Sequence, residues 1–221
     1  ELGGKTRASQ WTPEELDSIR ATTKEEIQAM APLQVEIINS IRQELDDDAI
    51  MVSGTTEVGY WSHLAFPALT PRSYLTSSYF ATLGYAFPTA LGAKVGNPDR
   101  QVVATSGDGG FGYASSELAT AVQERLNVVT ILFNNESFGA SYADQENRFG
   151  GRVIGTRIHN PDYAKLAESY GAEGIKLSGH QDLRPALRDA LKADGPVLIE
   201  VPIPNLVPPF QIPPPGMIRY T

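Results

Sequence analysis

The sequence predicts an α/β protein with a doubly wound parallel sheet of about six strands and helices on both faces. Three observations predict it: short β-branched runs recur along the chain, they show little polar alternation, and helical patterns separate them. Runs without alternation suit strands covered on both faces, and strands separated by helices call for right-handed crossovers in a parallel sheet. With 221 residues, 41% of them hydrophobic, the chain can bury one substantial core without disulfide or metal staples.

From 11 to 48 the pattern is helical. "WTPEEL" supplies Thr12 as N-cap, Pro13 at the first helical position and Glu15 three residues after the cap, and "LQVEIINSIRQEL" keeps apolar residues at helical spacing. Residues 1–32 therefore read as a linker and helical arm leading into a domain over 33–203. Strands are expected at 49–52, 73–76, 101–105, 128–133 and 197–201. Helices are expected at "TALGAKVG", "ASSELATAVQER", "PDYAKLAESYG" and "DLRPALRDALKA". No internal repeat is visible. The last 21 residues carry seven of the sixteen prolines, so 204–221 is expected to be an extended tail with polyproline stretches. A tail packed on a neighbouring subunit is the expectation, and a flap over an active site the alternative.

Eighteen Lys and Arg stand against 26 Asp and Glu, a net charge of -8. That argues against nucleic acid as a partner, because counterion release from phosphates needs a basic face. No apolar run is long enough to span a bilayer, and "ELGGKTRASQ" lacks the charged-then-apolar layout of a signal peptide. Cysteine is absent, which removes disulfides, thiolate nucleophiles, thiolate zinc sites and iron–sulfur clusters and fits a cytoplasmic location.

Chemistry concentrates in "VVATSGDGGFGYASSELATAVQERLNVVTILFNNESFG". In an open α/β sheet, ligands sit beyond the carboxyl ends of the strands, where helix N-termini point free N–H groups outward. Asp108 stands at one such end and Asn135 follows 27 positions later (135 minus 108). A loop, a helix around 115–125, a turn and the strand 128–133 fill that interval and return Asn135 to the same edge, one strand over. A carboxylate and an amide oxygen would then converge, both hard ligands suited to magnesium or calcium rather than zinc. Gly107, Gly109 and Gly110 let the backbone approach a bulky anion. Alone, Gly-Asp-Gly is a tight turn and Asn-Asn a turn filler; joined at this spacing behind two apolar strands, they point to a magnesium diphosphate.

Gly-Asp-Gly followed at this interval by Asn-Asn resembles the cofactor signature of thiamine diphosphate enzymes. "LTSSYFATLGYAFPTALGAKVGNPDRQVVATSGDGGF" is similar to the C-terminal diphosphate-binding domain of acetolactate synthase and its relatives, including benzoylformate and pyruvate decarboxylases. "NPDYAKLAESYGA" and "GPVLIEVPI" are similar to it too, so the resemblance spans about residues 33–203. It implies thiamine diphosphate and Mg2+ as cofactors, with the side chains of Asp108 and Asn135 and the backbone oxygen of Ser137 as metal ligands. Gly109, Gly110, Phe138 and Gly139 would line the diphosphate, and Thr55, Thr56 and Glu57 would form the loop on its far side. Leu83 falls where the family places a bulky aliphatic residue beneath the bent cofactor. Ala81 would offer its carbonyl to the pyrimidine amino group. Read without the family, Leu83 is a core leucine at a helix start. An ionised Glu57 beside a diphosphate is repulsive unless magnesium or a proton intervenes, and related synthases carry an uncharged residue there. The alternatives for Glu57 are a place facing the substrate or off the site.

The resemblance implies decarboxylation or carboligation of a 2-oxo acid or another carbonyl substrate, with the carbanion chemistry supplied by the cofactor. In the family the activating glutamate lies on a separate pyrimidine-binding domain, usually of another subunit, and no counterpart is visible here. The expected partners are that domain, in the same or another chain, and further copies in a homodimer or homotetramer. The helical arm and linker-like start favour a fragment of a longer enzyme over a separate subunit. The alternative function is a cofactor-binding module inactive without its partner. Acetolactate synthases place a tryptophan after the Asn-Asn turn, where this chain has Gln145 at the nearest place with a one-residue offset, which argues against acetolactate as the product. Ferredoxin-linked 2-oxoacid oxidoreductase β subunits share the signature but need cysteines. A nucleotide-dependent enzyme would need a Gly-rich loop ending in Gly-Lys-Ser/Thr, which the sequence lacks. His63, His159 and His180 are scattered and are expected at the surface or at helix ends.

Overall fold

The computed structural model describes residues 11–77, 80–206 and 208–209. The linker-like start at 1–10 and most of the proline-rich tail lie outside the described residues. Among the described residues there are six strands: β1 (Ile50–Ser53), β2 (Tyr74–Thr76), β3 (Val102–Gly107), β4 (Val129–Asn134), β5 (Glu173–Lys176) and β6 (Val197–Pro202). They form one sheet in the order β2-β1-β3-β4-β6-β5 with every pairing parallel. The doubly wound sheet expected from the sequence is the one observed.

Each central strand buries both of its faces. Met51, Val103, Ile131 and Ile199 point to one side, against Ile37, Ile38 and Ile41 of α2 (Pro32–Glu44), Trp61 of α3 (Glu57–Ala65) and Leu183 and Leu187 of α9 (Leu183–Ala190). Val52, Ala104, Leu132 and Leu198 point to the other, against Phe87 and Leu91 of α4 (Ala86–Gly96), Leu118 of α6 (Leu118–Gln123) and Tyr163 and Ala167 of α8 (Tyr163–Tyr170). Burial of a large apolar side chain contributes about 1.5–3 kcal/mol, so two covered faces require the near-continuous apolar runs of β3, β4 and β6.

The single helical stretch expected over 11–48 is two helices. α1 (Pro13–Met30) ends at Ala31, whose φ of -141° and ψ of 61° leave the helical region, and Pro32 opens α2. Proline lacks the N–H that would continue the ladder and disfavours helical geometry in the residue before it. α1 has the expected capping box from Thr12 and Glu15 but buries none of its residues. The helix expected over 114–125 is a single 3-10 turn at Ser115–Glu117 followed by α6. β5 was not expected: "EGIK" has no apolar run, and as the edge strand its residues are exposed or half-buried. Among the described residues no helix is long and apolar enough to cross a membrane.

Order along the sheet reverses beside β1: the chain reaches β2 on one side and β3 on the other. Such a switch point leaves a crevice outside the carboxyl ends of the two strands it separates. The residues following β1 and β3 are therefore the ones to examine for a site.

Candidate functional site

Segments following five strands line a cleft of about 220 Å3 at the carboxyl edge of the sheet. After β1 the chain turns through Gly54 into α3, which puts Thr55, Thr56 and Glu57 on the wall. Thr56 caps that helix, its hydroxyl accepting the Gly59 N–H at 2.7 Å. After β2, Ala81 and Leu83 reach the cleft. Leu83 is half-buried and precedes α4, so it serves the cleft wall rather than the core. Ala81 has a φ of 49°, a left-handed conformation costly for a residue with a Cβ, and its carbonyl accepts the Thr55 hydroxyl at 3.2 Å.

β3 and β4 supply the polar floor. Gly107 lies opposite Phe133 in the parallel register, so Asp108 and the Asn134–Asn135 pair leave adjacent strands at nearly the same level. Gly107, Asp108, Gly109 and Gly110 line the cleft from β3 and α5 (Asp108–Phe111), and Asn135, Ser137, Phe138 and Gly139 line it from β4 and α7 (Gly139–Arg148). Every site residue expected from the sequence thus borders one cavity.

Asp108 is 2% exposed. Its Oδ1 accepts the Gly109 N–H at 2.8 Å and its Oδ2 accepts Asn160 Nδ2 at 2.6 Å. Burial pushes its pKa up, and hydrogen bonds from Asn160 and from the backbone N–H groups of Gly109, Glu136 and Ser137 oppose that rise.

The turn from 134 to 138 is held by its own amides. Asn134 Oδ1 accepts the Glu136 N–H at 3.1 Å, Asn135 Oδ1 accepts the Ser137 N–H at 3.3 Å, and Glu136 adopts a φ of 54°. Ser137 also pairs antiparallel with Arg157 through bonds made by the flanking residues, Phe138 N–H to Thr156 O and Ile158 N–H to Glu136 O. In that pattern the pair's own N–H and carbonyl groups point away from each other. Ser137 therefore turns its carbonyl away from the 156–158 segment.

Glu57 lies inside the site. It is 6% exposed, and Oε2 accepts Asn135 Nδ2 and the Leu206 N–H, both at 3.0 Å. Burial pushes its pKa up to about 7, nearby Asp108 adds to the rise, and the two hydrogen bonds oppose it. Below about pH 7 a proton on Glu57 would remove the charge that repels an anion. Two glycines make the cleft possible: a Cβ on Gly139 would fall 2.2 Å from Glu57 Oε1, and one on Gly109 would fall 2.5 Å from the Phe138 ring. α7 begins at Gly139 without a side-chain cap, so its first N–H groups lack intrahelical partners at the cleft edge.

A model of the family described as "Thiamine pyrophosphate enzyme, C-terminal TPP binding domain" matches residues 54–201. The chain belongs to this family. The large subunit of acetolactate synthase isozyme 1 from Escherichia coli (strain K12) is 33% identical over 181 residues, covering 81% of this chain and 32% of that protein. Sulfoacetaldehyde acetyltransferase from Castellaniella defragrans is 33% identical over 190 residues, covering 83% and 31%. Among solved structures, the thiamine diphosphate-dependent 4-hydroxybenzoylformate decarboxylase of Rhodococcus jostii RHA1 superposes with a TM-score of 0.69 at 32% identity, covering 77% of this chain and 32% of that one. The chain spans about a third of the length of the curated relatives it matches.

Several residues of this thiamine pyrophosphate domain escaped sequence reasoning. Tyr60, Phe133, Ala140, Ser141 and Ile203 also line the cleft. Asn205, at the start of the tail, accepts Asn135 Nδ2 at 2.9 Å and the Ser137 hydroxyl at 2.8 Å, so the first tail residues reach the site. Asn160 meets Asp108 from behind, and its only sequence signal was its place before Pro161 at a helix start. Gln145 stays out of the cleft wall: its amide pairs with both the N–H and the carbonyl of Ile154, at 2.8 and 3.1 Å. The histidines do not converge. His63 lies in the last turn of α3 against Tyr74, His159 is exposed, and His180 opens a 3-10 turn near Glu36.

Proposed function

We propose that the cleft binds thiamine diphosphate through Mg2+ held by Asp108 Oδ, Asn135 Oδ1 and the Ser137 carbonyl, within a cytoplasmic enzyme acting on 2-oxo acids. The observation that carries this reading is the convergence of those three residues, from two adjacent strands, on one cleft in a chain of this family. Residues 33–203 are read as the cofactor domain, 1–32 as an arm and 204–221 as a tail.

The donors suit the group. Asp108 accepts one close hydrogen bond on each oxygen, from Gly109 and Asn160, and the Glu136 and Ser137 N–H groups that also face it are bonded to the side chains of Asn134 and Asn135, so a metal would take a remaining lone pair of the carboxylate. All three ligands are hard oxygens, and Mg2+ bound by a few protein oxygens keeps positions for phosphate. The uncapped start of α7 would receive the diphosphate, lined by the backbone of Gly109 and Gly139, where the Phe138 ring and the Glu57 carboxyl fill the places a Cβ would take. Leu83 would support the cofactor from beneath, and the Ala81 carbonyl, already oriented by Thr55, would accept from the pyrimidine amino group. When bound, the cofactor supplies carbanion chemistry next to the substrate carbonyl. Phe138 and Ile203 would keep water from that side of the cleft.

Relatives named as a synthase, an acetyltransferase and a decarboxylase support a reaction that makes or breaks a bond beside a carbonyl. Gln145 near the place where acetolactate synthases carry a tryptophan leaves acetolactate doubtful as the product. A pyrimidine-binding domain, in the same or another chain, completes the site in a homodimer or homotetramer. Assays of CO2 release from pyruvate and benzoylformate test this. Turnover should require this chain, its pyrimidine-binding partner, thiamine diphosphate and Mg2+ together; turnover independent of the cofactor, or none from the complete set with any 2-oxo acid, contradicts the reading.

A further inference from the structure

A line of buried and half-buried polar groups runs from the cleft into the sheet behind Asp108. Asn160 Nδ2 donates both of its hydrogens, one to Asp108 Oδ2 at 2.6 Å and one to Asn134 Oδ1 at 2.9 Å. Asn134 Nδ2 in turn donates to Glu200 Oε1 at 2.8 Å. Glu200 is 2% exposed in the centre of β6; its Oε2 accepts the Tyr163 N–H at 3.2 Å, and Lys176 Nζ lies 3.5 Å from Oε1. The Tyr163 hydroxyl closes the circuit, within 3.2 Å of Asn160 Oδ1 and 3.0 Å of the Asp108 carbonyl.

This chain has one direction. With Asn160 Oδ1 placed at the tyrosine hydroxyl, only Nδ2 can face Asp108; reversing the amide would set its oxygen against two acceptors, Asp108 Oδ2 and Asn134 Oδ1. Burying a carboxylate in a sheet is costly unless its oxygens are paired, and Glu200 is paired by Asn134 Nδ2, the Tyr163 N–H and Lys176. The circuit spans α5, β4, β6 and α8, so the four elements jointly set where the Asp108 carboxylate points.

We propose that Asn160 is a positioning residue which, held by Asn134, Tyr163 and Glu200, fixes the Asp108 carboxylate in the orientation that binds the metal. This rests on the magnesium reading above and extends it to residues that do not touch the ligand. Partners of this kind, hydrogen-bonded to a metal-binding group, typically change metal affinity by about 10-fold to 100-fold when removed.

The test is calorimetric titration of Mg2+ into the chain with saturating thiamine diphosphate, for wild type, Asp108→Ala and Asn160→Ala, with thermal melts alongside. Asn160→Ala should weaken Mg2+ binding by about 10-fold to 100-fold, and high Mg2+ should restore cofactor binding to the wild-type level. Asp108→Ala should not be restored. If Asn160→Ala does not fold, Tyr163→Phe, which releases the Asn160 amide oxygen and the Asp108 carbonyl but leaves the Asn160 Nδ2 bonds in place, carries the same test with a loss of about threefold to tenfold. Wild-type Mg2+ affinity in these variants overturns the positioning role while leaving the magnesium reading intact. Weak cofactor binding by Asn160→Ala at every Mg2+ concentration also overturns it, because a misaimed ligand is rescued by mass action. Cofactor binding by wild type that ignores Mg2+, or by Asp108→Ala that equals wild type, overturns both readings together.

Discussion

Burial holds the Glu57 carboxyl at a pKa of about 7, against 4.5 for the group in water, so the folded chain keeps a proton that the unfolded chain has released between those values. A folded-state pKa raised in this way gives a contribution to stability that is fully present below about 4.5 and lost as pH rises through about 7. Its size is at most about 3.5 kcal/mol at about 1.4 kcal/mol per pH unit. Asp108, also raised by burial, acts with the same sign. Metal-free thermal melts should therefore show stability falling from pH 4.5 to 7.5, and Glu57→Gln should flatten most of that fall, since a neutral amide keeps the shape without the titration. Equal slopes for the two proteins would mean that water reaches Glu57 and its burial carries no cost. The same protonation accounts for a carboxyl group standing where a diphosphate is proposed to lie.

At the scale of elements, the arm and the domain behave differently. α1 is capped by Thr12 and Glu15 but buries no residue, whereas α2 inserts Ile37, Ile38 and Ile41 into the core. Thr12→Ala should thus fray α1 by about 1 kcal/mol, seen as faster amide exchange over 13–18, while the main melting transition stays where it is. A drop in that transition would show that α1 is coupled to the core. How much of each element could be read in the sequence follows from the same packing. β3, β4 and β6 were legible because both of their faces are covered and only near-continuous apolar runs suit that place. β5 was not, because a half-exposed edge strand of four residues needs no such run. Pro32 was visible, but the apolar spacing on either side of it continued at helical period and masked the break. α5 begins directly at the end of β3, and α3 and α7 begin a few residues after β1 and β4, where site residues displace the apolar pattern that marks a helix.

Across the whole molecule, the chemistry is confined to the carboxyl edge of the sheet, at the reversal of strand order between β1 and β3. That much of the site was legible: Asp108 and Asn135 are carried by two readable strands, and their interval fixes them on neighbouring ends. Glu200, Asn160 and Asn205 were not legible. They come from β6, the approach to α8 and the tail, and only the sheet order brings those segments to Asp108 and Asn135. A carboxylate in the middle of "VLIEV" gives no local sign of the amide it meets 66 residues earlier. The most direct measurement of the central claim is calorimetric titration of thiamine diphosphate into wild type and Asp108→Ala, each with and without Mg2+. The account predicts binding by wild type only when Mg2+ is present and none by Asp108→Ala; equal binding without Mg2+, or undiminished binding by the variant, would contradict it.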